Sequence, residues 1–308
     1  MAYLQRHAYS VLSLESALSG LRDGSLPQSP VVITFDDGYY TTYSKALPHL
    51  ARYGFPATVY LITHAFVNGY PLFNYLVGYL LWKAEPGEVD LSALAVPGLG
   101  AVDYPASKMS KDLDWVQRKI VAYGEALDSE EERIQLCMRL AELVGQDYES
   151  LVSSRALNLV SEEEAKELEQ AGVSIELHSH LHRFPGLPEE AGPAGQDMAE
   201  NISQIEKVTG RRPTHFCYPY GMWSEQHWAT LASFGIESAT TCDRGLVFPE
   251  DNPYSLNRIL DNERMSQVEF EALVSGFALS GKAVRRTLAR VYDKLFGGQA
   301  APSLAEKS

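Results

Sequence analysis

The sequence predicts an α/β fold, a mostly parallel sheet or barrel, on three observations. Short β-rich runs alternate with amphipathic segments, the pattern of strands joined by crossover helices. Three polar motifs each follow one of these apolar runs, which is where parallel-strand enzymes assemble their sites. The chain's 308 residues, 45% of them hydrophobic, can bury a large core, as one domain with an insertion or as two smaller units.

Taken along the chain, β-rich composition predicts strands at residues 31–35, 57–62, 173–177, 214–218, 236–241 and 256–260. Amphipathic spacing between them predicts helices at residues 14–21, 43–53, 161–171, 197–209 and 224–234. Ser161, followed by Glu162, Glu163 and Glu164, has the form of a capping box, with acids at the positive end of the helix dipole, and Gly172 closes that helix. Residues 66–160 lack convincing strands and carry helical patches at 112–126 and 129–143, so they are expected to form a helical insertion on the barrel. A helical tail is expected over residues 266–296. Its end is basic, with Lys282, Arg285, Arg286, Arg290 and Lys294, and is read as a solvated face, with peripheral contact to a membrane surface as the alternative.

Composition excludes several partners. A formal net charge of -14 leaves no excess of Lys and Arg to neutralise phosphates, so nucleic acid is excluded and a neutral or cationic substrate fits better. Cys137, Cys217 and Cys242 are widely spaced and odd in number, which suits reduced packing residues rather than a disulfide framework or thiolate zinc site. The first residues carry no apolar signal core, and the most apolar later stretch, residues 72–82, is too short to span a bilayer, so the expected location is cytoplasmic.

The chemistry concentrates in the three motifs. In Val31-Val32-Ile33-Thr34-Phe35-Asp36-Asp37-Gly38, two adjacent acids end an apolar run, an arrangement that is costly unless a cation or a shared proton stabilises it. In Glu176-Leu177-His178-Ser179-His180-Leu181-His182, His178 and His182 are four apart and can face one cation if the strand runs into a helical turn. Three histidines within five residues are hard to explain as packing. With one carboxylate from the first motif they give a His-His-Asp set that leaves a coordination position for water, typical of catalytic zinc. In Phe216-Cys217-Tyr218-Pro219-Tyr220-Gly221, Pro and Gly flank an aromatic in a tight turn that can present a backbone N–H, although such turns often only reverse the chain.

Thr34-Phe35-Asp36-Asp37-Gly38, then His178-Ser179-x-x-His182, then Tyr218-Pro219-Tyr220-Gly221 resemble, in this order, the motifs of the polysaccharide deacetylase family, the NodB-type carbohydrate esterases of family 4. The similarity runs through most of residues 10–262, including Ala46-Leu47-Pro48, Gly54-Phe55-Pro56-Ala57-Thr58, and Asp251-Asn252-Pro253-Tyr254 ahead of Arg258. The resemblance implies a distorted (β/α) barrel of fewer than eight strands as one domain over residues 1–262, with the helical insertion at about 66–160 and the tail at 263–308 outside the shared core. It implies one divalent metal, commonly zinc, on Asp37, His178 and His182; cobalt, nickel and iron also suit these donors. It further implies Asp36 as general base and the backbone N–H of Tyr220 as oxyanion donor. The expected substrate is an N-acetylated amino sugar in a polysaccharide or glycan precursor, bound by Tyr39, Pro219, Tyr220 and Trp223, with Tyr40 also nearby in sequence.

Departures from the family pattern are informative. Many members carry Arg where this chain has Cys217, and Arg258 is the candidate to orient Asp36 in its place. The late Leu-x-His motif that supplies the general acid is missing, because no histidine follows His227, which leaves His180 as the nearest candidate acid. Family members also have an early strand with a Tyr-His pair, whereas Met1 opens near the first expected helix, so either the barrel is open on one side or a different start codon is used, and His7 is expected to have no role. Two alternatives stand beside the deacetylase: a hydrolase of another amide or formamide bond on the same scaffold, and a glycan-binding pseudoenzyme.

Overall fold

The computed structural model describes residues 1–104, 111–127, 129–182, 191–262 and 264–279. The chain begins with α1 (Ala2–Arg6), β1 (Ser10–Leu12), α2 (Leu14–Asp23), β2 (Pro30–Val32), β3 (Thr34–Phe35), α3 (Leu47–Tyr53) and β4 (Ala57–Leu61). A helical stretch follows, α4 (Thr63–Asn68) and α5 (Phe73–Lys83), then β5 (Gly87–Asp90) and β6 (Ala101–Tyr104), then α6 (Lys111–Glu125), α7 (Glu130–Leu143) and α8 (Tyr148–Ser153). The second half runs α9 (Glu162–Gln170), β7 (Val173–Leu177), α10 (Ala191–Thr209), β8 (His215–Cys217), α11 (His227–Ser233), β9 (Ser238–Arg244), β10 (Leu256–Arg258) and α12 (Gln267–Val274).

Six strands form one parallel sheet in the order β10-β9-β8-β7-β4-β3. A parallel β1-β2 pair adjoins it, since only Ile33 separates β2 from β3. The result is a curled (β/α) half-barrel, and no ladder joins β10 to β1 among the described residues. Strand β1 corrects the expectation that the chain enters at its first helix: a strand precedes α2 and extends the barrel.

Period-2 alternation divides every central strand between two environments. Ala57, Val59 and Leu61 of β4, Val173, Ile175 and Leu177 of β7, Phe216 of β8 and Ala239 of β9 join the main core with Leu168 of α9 and Met198, Ile202 and Ile205 of α10. The intervening positions, Thr58, Tyr60, Glu176, His215, Cys217, Ser238 and Thr240, are buried and mostly polar. Thr58 and Ser174 hydroxyls meet there at 3.1 Å. Residues that continue this second face past the strand ends, such as His178, therefore reach the site.

The capping box forms as expected: the Ser161 hydroxyl accepts from the Glu164 N–H, the Glu164 carboxylate accepts from the Ser161 N–H, and Gly172 is left-handed at φ 83°. Three expectations need correction. Residues 87–104 contain the antiparallel hairpin β5-β6, where no strand was expected; its sequence is too polar to stand out as an apolar run. Helix α10 starts at Ala191 rather than at 197, because Pro193 lies in its first turn, where its missing N–H is tolerated. The expected helix at 43–53 opens with a π-helical turn before α3, and Pro48, which cannot donate an N–H, lies where the two meet.

The segment between β4 and α9 has its own core, with Leu76, Val77, Leu80 and Leu81 of α5 packed against Val116 and Ile120 of α6 and Leu136, Cys137 and Leu140 of α7. The tail is helical over α12; its basic residues Lys282, Arg285, Arg286, Arg290 and Lys294 lie outside the described residues. No described helix is long and apolar enough to cross a membrane.

Candidate active site

The paired acids lie just past β3, and the backbone turns them apart. Asp37 takes φ 67°, a left-handed conformation a non-glycine residue adopts only when its surroundings impose it. Gly38 follows at φ 83°, and a Cβ there would run into Leu61 Cδ1, so this turn packs directly on β4 and has room for glycine alone. Among the described residues, four of the eight non-glycine positive-φ residues belong to this region: Asp37, Ser179, His182 and Tyr220. Such clustering marks functional sites.

Asp37 Oδ1 lies 3.3 Å from His178 Nε2 and 3.3 Å from His182 Nε2, all three residues being buried. Their potential ligand atoms fall within 4.8 Å of one another. The His178 Nδ1 lies 2.8 Å from the Cys217 carbonyl oxygen; a proton on Nδ1 donates to that carbonyl and leaves Nε2 as the lone-pair donor. Burial, then the neighbouring His178, pull His182 down to about 4, which keeps its ring neutral at ordinary pH. Two imidazole nitrogens and one carboxylate oxygen, so oriented, are a donor set that fits a divalent transition metal.

Asp36 faces the other way. Arg258 of β10 holds it with two bonds, Nη1 to Oδ1 at 2.7 Å and Nη2 to Oδ2 at 2.9 Å. Arg258 is itself fixed: its Nε donates to the Thr241 carbonyl, Nη2 lies 3.2 Å from Cys217 Sγ, and its guanidinium sits over the Tyr60 ring at 5.9 Å. Burial alone raises the Asp36 carboxyl, but the bonds and charge of Arg258 outweigh it and leave Asp36 below the usual carboxylate range. Cys217 is thus more than the packing residue expected of it, since its thiol lies against both Asp36 and Arg258.

The third motif forms a single 3₁₀ turn, Pro219–Gly221, with Tyr220 at φ 57°. The Tyr220 ring lies 4.5 Å from that of His182, so the turn sits beside the three-residue cluster, and the buried Pro219 anchors it. Tyr39 is largely buried below, with its ring edge-on to Tyr75 at 5.7 Å. Trp223 stacks on Trp228 and donates from Nε1 to Asp243, two residues past the turn. Tyr40 packs under Arg155 instead. His180, like Trp223 and Tyr40, makes its contacts away from the cluster: its Nδ1 meets Thr63 Oγ1 at 3.0 Å and its ring meets His64. His7 packs at a tilt against Tyr3 of α1, with no contact to the cluster among the described residues.

Sequence reasoning missed three contributors. The Asp197 carboxylate accepts the peptide N–H groups of His180 at 2.9 Å and Leu181 at 2.8 Å, which clamps the histidine loop onto α10. Asn74 and Tyr75, at the start of α5, reach the site from outside the three motifs, and Asn74 Nδ2 donates to the Tyr220 hydroxyl at 3.1 Å. An acid inside a helix, and polar residues at the head of an apolar one, were the available signals.

Comparison with known proteins bears on the family and the fold. The polysaccharide deacetylase family profile matches residues 23–126 and 141–239, which include the paired acids, both cluster histidines and the Tyr220 turn. YxkH of Bacillus subtilis strain 168, a protein assigned to the polysaccharide deacetylases, is 20% identical over 276 residues, 89% of this chain and 67% of its own length. Among solved structures, the deacetylase PplD of Streptococcus pyogenes, in complex with acetate, superposes with a TM-score of 0.55 at 16% identity, covering 88% of this chain and 82% of that one. IcaB from Ammonifex degensii gives 0.55 at 17% identity, covering 89% and 85%. At these identities the likeness to solved structures is one of fold. The family match spans more than half of the sequence and both halves of the half-barrel, and on that ground the chain belongs to the polysaccharide deacetylase family.

Proposed function

We propose that this protein is a metal-dependent hydrolase that removes N-acetyl groups from amino sugars in a polysaccharide or glycan precursor. The observation that carries the reading is the division of two adjacent acids, Asp37 toward His178 and His182, Asp36 toward Arg258. An idle site has no physical need to hold neighbouring carboxylates in opposite environments.

Asp37, His178 and His182 would hold one divalent metal, with zinc the leading candidate for two imidazoles and a carboxylate. Bound there, such a cation lowers the pKa of a coordinated water toward about 7 and polarises a carbonyl. Asp36, kept ionised by Arg258, accepts the proton of the attacking water. The backbone N–H of Tyr220 donates to the acetamide oxygen as negative charge develops on it. As the C–N bond breaks, acetate leaves and the amine nitrogen takes up a proton. With His180 bonded to Thr63, Asp36, protonated in the first step, is the group that returns its proton to that nitrogen in this reading. Tyr39, Pro219, Tyr220 and Trp223 line the approach for the sugar.

The test is acetate release from N-acetylglucosamine oligomers, peptidoglycan and lipid-linked N-acetyl sugars. The wild-type protein should release acetate from at least one, and Asp36→Asn should retain metal while losing on the order of 10²- to 10⁴-fold in rate, the usual worth of a general base. Undiminished turnover in Asp36→Asn would remove that residue as base, and hydrolysis of formamides alone would move the substrate to another amide.

A further inference from the structure

The loop after β7 carries His178, His180 and His182, and the metal reading uses only the outer two. His180 stands between them, and the structure pins it by its backbone and its ring. Its peptide N–H donates to the Asp197 carboxylate at 2.9 Å, its carbonyl accepts the His64 N–H at 2.9 Å, and its ring Nδ1 meets Thr63 Oγ1 at 3.0 Å. The first contact comes from α10, the other two from the opening turn of α4.

The ring contact has a direction. Asn201 of α10 is fully buried, and its Nδ2 lies 3.2 Å from the Leu61 carbonyl oxygen and 2.9 Å from Thr63 Oγ1. A carbonyl oxygen only accepts, so the amide presents its nitrogen here, and that nitrogen has two hydrogens to give. Thr63 Oγ1, also fully buried, therefore accepts from Asn201, and its own proton needs an acceptor. Among the described residues, His180 Nδ1 is the acceptor within reach of that hydroxyl. Each group donates to the next, from Asn201 to Thr63 to His180, which gives His180 the Nε2–H tautomer. His178 is the reverse, since its Nδ1 faces the Cys217 carbonyl.

The loop needs such a lock. Ser179 and His182, which flank His180, hold left-handed conformations at φ 65° and 56°, and these persist only where the surroundings impose them. The Asp197 clamp fixes the peptide groups of residues 180 and 181. The ring contact fixes which way His180 turns, and with it the separation of the histidines on either side.

We propose that His180 is a positioning residue, locked by Thr63 and Asn201 so that His178 and His182 converge on one cation. It neither binds the metal nor moves a proton. The proposal rests on the metal reading of the Asp37, His178 and His182 cluster.

The experiment titrates zinc-loaded holoprotein with a chromophoric chelator. Thr63→Val keeps the β-branched shape without the hydroxyl, Thr63→Ser restores the hydroxyl, and His180→Ala removes the half-buried ring that receives it. Zinc affinity should weaken about tenfold in Thr63→Val and in His180→Ala, the low end for loss of an outer partner, and stay within about twofold of wild type in Thr63→Ser. Because Thr63→Val and His180→Ala break one link, the double variant should lose no more than either alone, a result that general destabilisation does not produce. Should Thr63→Val not fold, His180→Ala reads the same link. Wild-type affinity in Thr63→Val and His180→Ala, even with a lowered melting temperature, overturns the proposal, as does a Thr63→Ser variant as weak as Thr63→Val. A wild-type protein that holds no metal sinks the metal reading and this proposal with it, whereas the other adverse outcomes leave the metal reading standing.

Discussion

Arg258 grips both carboxylate oxygens of Asp36 from 222 residues further along the chain, at 2.7 and 2.9 Å. The two residues close the sheet's function rather than its hydrogen bonding, since Arg258 is on the β10 edge and Asp36 follows β3 at the opposite edge. A bidentate fork fixes both the position and the ionisation of the carboxylate, and a lysine cannot reproduce it.

Arg258→Lys should therefore fold but lose roughly 10- to 100-fold in activity, the range seen when an orienting partner is removed. The sign of the pH effect follows from the competing influences on Asp36. Burial raises the carboxyl and Arg258 lowers it below the ordinary range, so the pair's contribution to stability is present at neutral pH and is lost as pH falls through the lowered value. Weakening Arg258 lets the carboxyl climb, and the acidic limb of the activity profile should move to higher pH. A profile that keeps its acidic limb in place would show that Arg258 does not set the ionisation of Asp36.

Metal analysis checks the other acid. Protein purified without chelator should carry about one divalent ion per chain, and Asp37→Ala, His178→Ala and His182→Ala should each lose it. Because a metal that binds only the folded state stabilises it by about 2.7 kcal/mol at 100 times its Kd, chelation should lower the melting temperature of the wild type and leave that of Asp37→Ala unchanged. Stoichiometric metal in Asp37→Ala would dissolve the ligand assignment.

The legibility of this site in sequence depends on how local each part is. Asp36 and Asp37 are adjacent, and His178 and His182 share one loop, so strand-end position and spacing are enough to bring them forward. Asp197 is hidden because Gly192, Pro193 and Gly195 make the start of α10 look like a loop, which turns a buried helix-interior acid into an apparent cap. Asn74 and Tyr75 are hidden because α5 reads as an apolar helix serving its own core, and nothing local says which turn faces the barrel. The fold is legible where β-branched residues form β4 and β7, and less so at β1, a three-residue strand whose partner lies beyond α2. Residue types disclose chemistry, whereas contacts between distant segments depend on topology.

The clamp of Asp197 on the histidine loop gives a positioning prediction. Asp197→Ala would leave the part-buried N–H groups of His180 and Leu181 without their acceptor, at up to about 1–3 kcal/mol for a group that water cannot reach. Ser179 and His182 hold left-handed conformations in this loop, so its release should let the backbone relax and weaken metal binding by about 10- to 100-fold. Metal affinity measured by competition with a chromophoric chelator distinguishes this from simple destabilisation: a lower melting temperature with wild-type affinity would confine Asp197 to a structural role.

Cys217 and Arg258 make a coupled prediction, because the thiol lies against both Asp36 and Arg258. Cys217 is fully buried, and its Sγ lies 3.2 Å from Arg258 Nη2. Cys217→Arg alone should destabilise the fold by about 1–3 kcal/mol from overpacking, and the second guanidinium beside Arg258 adds like-charge repulsion. Arg258→Ala alone should lose activity, since Asp36 then has no cation to outweigh its burial. In the double variant Cys217→Arg, Arg258→Ala, the new side chain gains the space that the old one vacates, so both penalties should shrink together. A cycle over the four proteins, with melting temperature and acetate release measured on each, reads this as a coupling energy. Strictly additive losses would mean that β8 and β10 do not compete for one position beside Asp36.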